Sequence, residues 1–392
     1  MSQASPFKVP FFLHDLGQAE IDAVSEAIRH PVLTTGETVA RFEARLAEYL
    51  GCRHVLATTS CTGALHLSLL ALGIGAGDEV ITTPMTFIAT ATAILESGAR
   101  PVFVDVEPET GNLDVQRVAE AITPRTRAIL PVHLYGRMCD MAALSALARE
   151  RGLAIIEDAA HCLEGTAGTI RPASLGDTAC FSFYATKNIT CGEGGALAFN
   201  NSGLYQKLRL LRLHGMTRTG AERAQQGYQH WDMTLMGWKY NMSNIEAAIL
   251  LPQMDRLERN LTRRIELVNR YRAGLRDLPG VRMLVNLEPE MRHACHLFPV
   301  LIDAMPRDAC VAALHEAGIS VMVNYRPVHL TRYFSETCAY KRGDFPIAEQ
   351  IGDRVISLPL YPRMRDADVD LVVEALRNTL AGALPADRCA VQ

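Results

Sequence analysis

The chain has 392 residues, 48% hydrophobic and 21% charged, with a formal net charge of -4. That length exceeds what one hydrophobic core fills, about 250–300 residues, so two domains are expected; the near balance of charge removes the electrostatic case for nucleic acid or an anionic membrane as partner. No apolar run approaches the roughly 18 residues that span a bilayer, the N-terminus lacks the basic-then-apolar pattern of a leader, and ten cysteines without framework spacing read as reduced thiols of a cytoplasmic protein.

From residue 54 onward, short apolar runs alternate with helical stretches. The candidate strands are "HVLATT" (54–59), "EVITT" (79–83), "PVFVDV" (101–106), "RAILPVH" (127–133), "LAIIED" (153–158), "TACFSF" (178–183) and "GALAF" (195–199). They are continuous Val/Ile/Leu/Ala runs, the pattern of strands covered on both faces in a mostly parallel sheet. "TGALHLSLLALG" and "DMAALSALARERG" read as helices between them. "GIGAGDE" (73–79) falls between a helix and a strand, where a helix end and a turn belong. The class is α/β.

Near residue 243 the pattern changes. Ser243 and Glu246 have capping-box spacing, and Leu257, Leu261, Ile265, Val268, Tyr271 and Leu275 recur at helical intervals. Pro252 should kink or divide this long helix. "HLFPVLI" and "ISVMVNY" then read as strands of a smaller α/β domain. The expected division is a large domain, 1–250, and a small C-terminal domain, 251–392.

Open parallel sheets gather their chemistry at the carboxyl ends of strands. Asp158 ends "LAIIED", Lys187 follows "CFSF" and Ser60 follows "HVLATT". Each has a plain structural reading: Asp158 as a helix cap, Lys187 as a solvated loop charge, His161 as a packed histidine. Ser60, Cys61 and Thr62 open a helix, whose N-terminus either is merely capped or accepts a phosphate. "HACH" (293–296) reads as structural, and no metal-ligand spacing occurs, so no metal is expected. Taken together, an amine, a carboxylate, a phosphate cradle and the hydroxyl of Ser182 are the groups that pyridoxal phosphate requires. A desolvated lysine forms a Schiff base, and a carboxylate keeps the pyridine nitrogen protonated.

The motifs "TTGETVARFE", "ALGIGAGDEVITTPMTFIATA", "PVFVDVEPETGNLD", "IIEDAAH", "FSFYATKNITCGEGGAL", "GWKYNMSNIEAAI" and "RPVHL" resemble, nearly end to end, the DegT/StrS family of nucleotide-sugar aminotransferases. That resemblance implies the aspartate-aminotransferase-like (type I) fold and pyridoxal phosphate, cycling with its pyridoxamine form, as cofactor. It implies Lys187 as the Schiff-base lysine and proton shuttle, Asp158 at the pyridine nitrogen and His161 near the ring hydroxyl. Ser60, Cys61, Thr62 and Ser182 would hold the phosphate, and Phe87 would stack on the ring. Asn241 would reach the phosphate in a neighbouring subunit, making a homodimer part of the site. His329 would approach the sugar nucleotide, and Lys239 and Arg326 could meet its diphosphate. "KNITCGEGG", "KYN" and "HLF" resemble members that aminate C4 of a UDP-linked keto sugar for lipopolysaccharide or other cell-surface sugars, with L-glutamate as donor. Amination at C3, dehydration of the same sugar class and a non-catalytic sugar-nucleotide sensor are the alternatives. Lys187 counts against dehydration, whose family members carry histidine there. "TTSCTGAL", "CLEGTAGTIRPASLGD" and Pro252 depart from the usual pattern.

Overall fold

The computed structural model describes residues 6–218 and 230–382. Seven strands form the main sheet: β1 (His54–Thr58), β2 (Glu79–Thr82), β3 (Arg100–Phe103), β4 (Thr126–Leu130), β5 (Ala154–Asp158), β7 (Thr178–Ser182) and β8 (Gly195–Phe199). A two-residue β6 (Thr166–Ala167) lies outside it. The order is β1-β8-β7-β5-β4-β2-β3, with β8 antiparallel to both of its neighbours and the other pairings parallel. These are the seven apolar runs read from the sequence. Pro131, which has no N–H to donate, follows β4 directly, and its carbonyl still accepts the Asp158 N–H at 2.9 Å.

Side chains alternate across the sheet and so sort into two cores. Val55 and Ala57 of β1 pack with the helix Glu37–Leu50 and with Ala247 and Leu250 of the helix Asn244–Met254. Leu56 points the other way, onto the helices Cys61–Ala71 and Ser202–Arg212. The helix Met141–Arg151 shows how local chemistry sets the ends. Asp140 Oδ1 accepts the Ala143 N–H at 3.0 Å, and Gly152 closes the helix with a φ of 66° that favours glycine.

The capping box at Ser243 is present: Glu246 Oε2 accepts the Ser243 N–H at 2.7 Å, and Ser243 Oγ accepts the Glu246 N–H at 3.2 Å. The helix stops at Met254, two residues past Pro252, and a second one runs Leu257–Leu275. Arg256, in the break, reaches Asp15 at 2.9 Å and Glu20 at 2.7 Å. The second helix packs on a three-stranded antiparallel sheet of β9 (Val281–Met283), β11 (Phe298–Ile302) and β12 (Val355–Leu358), in the order β12-β11-β9. A short β10 (Met291–Arg292) pairs with β6 instead.

One expectation changes here. "ISVMVNY" makes only isolated pairings, Ile319 with Val9 and Met322 with Ser357, because β12 takes the place beside β11. The opening residues, assigned by sequence to the large domain, contribute Val9 to the core of the small sheet. Among the described residues, no helix is long and apolar enough to cross a membrane.

Ser243→Ala is expected to destabilise the protein by about 1 kcal/mol, the usual cost of a lost N-cap. An earlier urea midpoint would show this; an unchanged midpoint would mean that Glu246 holds the cap without the hydroxyl.

Candidate active site

Gly195 pairs with Thr58 on one side and Ser182 on the other. Because β8 runs against its neighbours, its first residue lies level with their last. A Cβ at Gly195 would stand 2.4 Å from the Cys61 backbone nitrogen and 2.6 Å from the Ser60 carbonyl oxygen. Glycine alone permits this approach. Ser60 then caps the next helix, its Oγ accepting the Gly63 N–H at 3.0 Å. The N–H groups of the first helical residues, Cys61 and Thr62, have no acceptor within the helix and suit a phosphate. Ser182 Oγ accepts the Tyr184 N–H at 3.3 Å, so its own proton is free to be donated.

Lys187 follows in the turn after β7, where its N–H donates to the Tyr184 carbonyl at 2.9 Å. The residue as a whole is half-buried. Burial lowers its pKa from 10.5 to about 8, against the opposing influence of Cys61 and Asp158. A large part of the amine is therefore uncharged at mildly alkaline pH.

Asp158 is buried at the end of β5. Its Oδ2 accepts the Thr90 hydroxyl at 2.7 Å and its Oδ1 accepts the Ala160 N–H at 3.1 Å, as a cap would. Burial raises its pKa; those hydrogen bonds, Lys187 and His133 pull it down. Among the described residues no cation stands in ion-pair contact with it. A protonated ring nitrogen would supply the missing charge, so the carboxylate fits pyridoxal phosphate.

His161 Nδ1 accepts the Tyr135 N–H at 3.2 Å, which leaves the proton of the neutral ring on Nε2, 3.0 Å from the Tyr325 hydroxyl. Burial, helped by the charge of Lys187, holds His161 well below the usual histidine range. Phe87 caps a helix with 57% of its surface open, its ring 6.1 Å from Tyr325. That exposed aromatic face is available to stack on a planar ligand.

"HACH" is not merely structural. His296 Nε2 lies 3.5 Å from Lys187 Nζ, and its ring is 4.5 Å from His161. Asn241 pairs with Thr58 at the same sheet end; its amide donates to Thr35 at 2.7 Å and accepts from Lys239. Arg326 is exposed and donates to the Leu330 carbonyl at 2.7 Å.

His329 does not join the group. It has no exposed surface, its Nε2 is paired with Glu349 at 3.0 Å and its ring lies against Phe345. The expectation that it meets a sugar nucleotide is corrected: here it packs the core that joins the two sheets. Sequence reading also missed Thr90, Asn188 and Tyr325, for which no local pattern exists.

The profile of the DegT/DnrJ/EryC1/StrS aminotransferase family matches residues 14–377. The spore coat polysaccharide biosynthesis protein SpsC of Bacillus subtilis is 41% identical over 381 residues, covering 96% of this chain and 98% of that protein. Spr1654 of Streptococcus pneumoniae, assigned as a sugar aminotransferase, has been solved in apo, PLP and PMP forms. Its PMP form superposes with a TM-score of 0.91 at 30% identity, covering 96% of this chain and 100% of that one. Helicobacter pylori PseC, an aminotransferase of pseudoaminic acid biosynthesis, gives a TM-score of 0.89 at 27% identity over 95% and 99% of the two chains.

Two outcomes are expected. The rate at which cofactor-free protein takes up pyridoxal phosphate should rise about tenfold per pH unit and level off above about 8, where Lys187 is neutral; a flat profile would deny the lowered pKa. Gly195→Ala should weaken cofactor binding by at least about tenfold, or about 1.4 kcal/mol, because the methyl pushes β8 off the Ser60 turn. Equilibrium dialysis reads this directly, and native affinity would refute the steric argument.

Proposed function

The chain belongs to the DegT/DnrJ/EryC1/StrS aminotransferase family and is a pyridoxal-phosphate-dependent sugar aminotransferase; we propose that it transfers an amino group from L-glutamate to C4 of a UDP-linked keto sugar for a cell-surface polysaccharide or lipopolysaccharide. The observation that carries this reading is the amine of Lys187, buried enough to titrate near 8 and set among Asp158, His161 and His296. The C4 position and the UDP link rest on "KNITCGEGG", "KYN" and "HLF". The polysaccharide role is supported by what SpsC is named for.

The cofactor supplies an aldehyde that takes up the amino group and a ring that accepts the electrons of a broken C–H bond. Asp158 would pair with the ring nitrogen, and Phe87 and His161 would hold the ring. Ser60, Cys61, Thr62 and Ser182 would hold the phosphate. In the first half-reaction Lys187 Nζ removes the proton from the α-carbon of the donor. In the second it delivers a proton to the sugar carbon that gains nitrogen. Transfer by a positioned amine contributes roughly 10²–10⁴-fold. Lys239 and Arg326 are the cations offered to the diphosphate.

The working form in this reading is a homodimer, with Asn241 of each copy serving the phosphate in the other. Thr35 and Lys239 fix its amide.

Lys187→Ala is expected to fold and to lose multiple turnover. Borohydride reduction of the loaded protein should label Lys187, found by peptide mapping. L-glutamate should bleach the visible absorbance, and a UDP-4-keto sugar should restore it. A band indifferent to glutamate would refute the donor, and a label elsewhere would refute the site. Mixing Lys187→Ala with Asn241→Ala subunits tests the shared site. Each mixed dimer holds one site with both native residues if Asn241 acts across the interface, so activity should return; continued inactivity would place Asn241 in its own subunit's site.

A further inference from the structure

Behind Lys187 runs a line of buried polar groups that the scheme above leaves without a task. Arg264 Nη2 donates to Glu164 Oε1, and both residues are buried. Glu164 Oε2 accepts from Asn188 Nδ2 at 2.7 Å, and the same nitrogen donates to the Ala294 carbonyl at 3.2 Å. With its NH₂ end held by two acceptors, Asn188 presents Oδ1 to His296 Nδ1 at 3.1 Å. An amide oxygen accepts and never donates, so Nδ1 carries the ring proton. The lone pair of the neutral imidazole is then on Nε2, the atom 3.5 Å from Lys187 Nζ. Burial holds the ring neutral, and the charges of Lys187 and Arg264 act in the same direction.

The tautomer matters for what the amine can do. A lysine amine turns freely about its last bond. An acceptor beside it fixes one N–H and leaves the nitrogen lone pair aimed elsewhere. The opposite tautomer would point an N–H at Lys187 and occupy the lone pair that reacts. We infer that His296 is a positioning residue for Lys187: Asn188, anchored by the Glu164–Arg264 pair, locks its ring with the proton on Nδ1, and Nε2 accepts an N–H of the amine and orients its reacting lone pair. The inference rests on Lys187 being the reacting amine.

Three variants test it: His296→Leu, His296→Gln and Asn188→Leu. Glutamine places an oxygen near Nε2 and keeps the acceptor; leucine fills the space without one. His296→Leu should lower kcat by about 10–100-fold with the donor KM within about threefold, the signature of a misaimed group. His296→Gln should stay within about tenfold of native. The pH midpoint of pyridoxal phosphate uptake by the cofactor-free protein should fall in the leucine variant and hold in the glutamine variant, because an acceptor favours the charged amine. Cys61, Asp158 and His161, the other titratable groups facing Lys187, are unchanged throughout. Asn188→Leu should free the ring to take either tautomer.

The native protein gives a readout independent of folding in the variants. Its histidine ¹⁵N–¹H spectrum, with the signal assigned by its loss in His296→Gln, should show the proton on Nδ1. A proton on Nε2, or leucine and glutamine variants with the same kcat and the same uptake midpoint, would overturn the inference. Borohydride labelling of the native protein separates the two levels. No label at Lys187 sinks the functional reading. A label at Lys187 together with an unimpaired leucine variant sinks the role of His296 alone.

Discussion

The close approach of β8 to the start of the helix Cys61–Ala71 is the constraint on which the rest of the site depends. Gly195 is in register with both Thr58 and Ser182, so one residue without a side chain ties the ends of two strands to a helix N-terminus. A parallel sheet by itself already aligns the carboxyl ends of β1, β5 and β7. The single reversed strand closes the gap between β1 and β7 and brings Ser60, Ser182 and the turn bearing Lys187 to one place. Sheet geometry thus sets the distances before any side chain contributes.

Within that frame the charges are managed by withholding water. Asp158 is raised by burial and supported by Thr90 and the Ala160 N–H; Lys187 is lowered by the same cause. His161 and His296 are kept neutral close to a lysine, which avoids stacking positive charge in a dry space. The site therefore holds an amine able to act as base or nucleophile and a carboxylate with no cation in ion-pair contact among the described residues, and pyridoxal phosphate answers both.

The main sheet was readable in the sequence because its strands are uninterrupted apolar runs, a signal that survives without tertiary context. Asp158 at a strand end, and Ser60 and Lys187 just past one, could be placed for the same reason: a polar residue so close to the end of such a run has few places to be. His296, Asn188 and Tyr325 were not. Their contacts join segments more than a hundred residues apart, and no local spacing encodes a meeting of that kind. His329 shows the converse. Its motif carried it into the candidate site, while Glu349, twenty residues on, holds it in the core. "ISVMVNY" read as a strand, but the place beside β11 is held by Val355–Leu358, and the segment meets the outer edge of that strand only at Met322.

Val9 lies in the core of the small sheet, paired with Ile319 and packed in a cluster that includes Leu376 and Leu380. In the order of synthesis, one of the first residues made belongs to the last unit completed. At about 5–20 residues per second, roughly 15–60 s separate the emergence of Val9 from that of its partner about 300 residues later. The large sheet is whole well before then. During that interval Val9 has neither its partner nor its core. Arg256, which emerges before that partner, ties the residues that follow Val9 to the helix junction through Asp15 and Glu20.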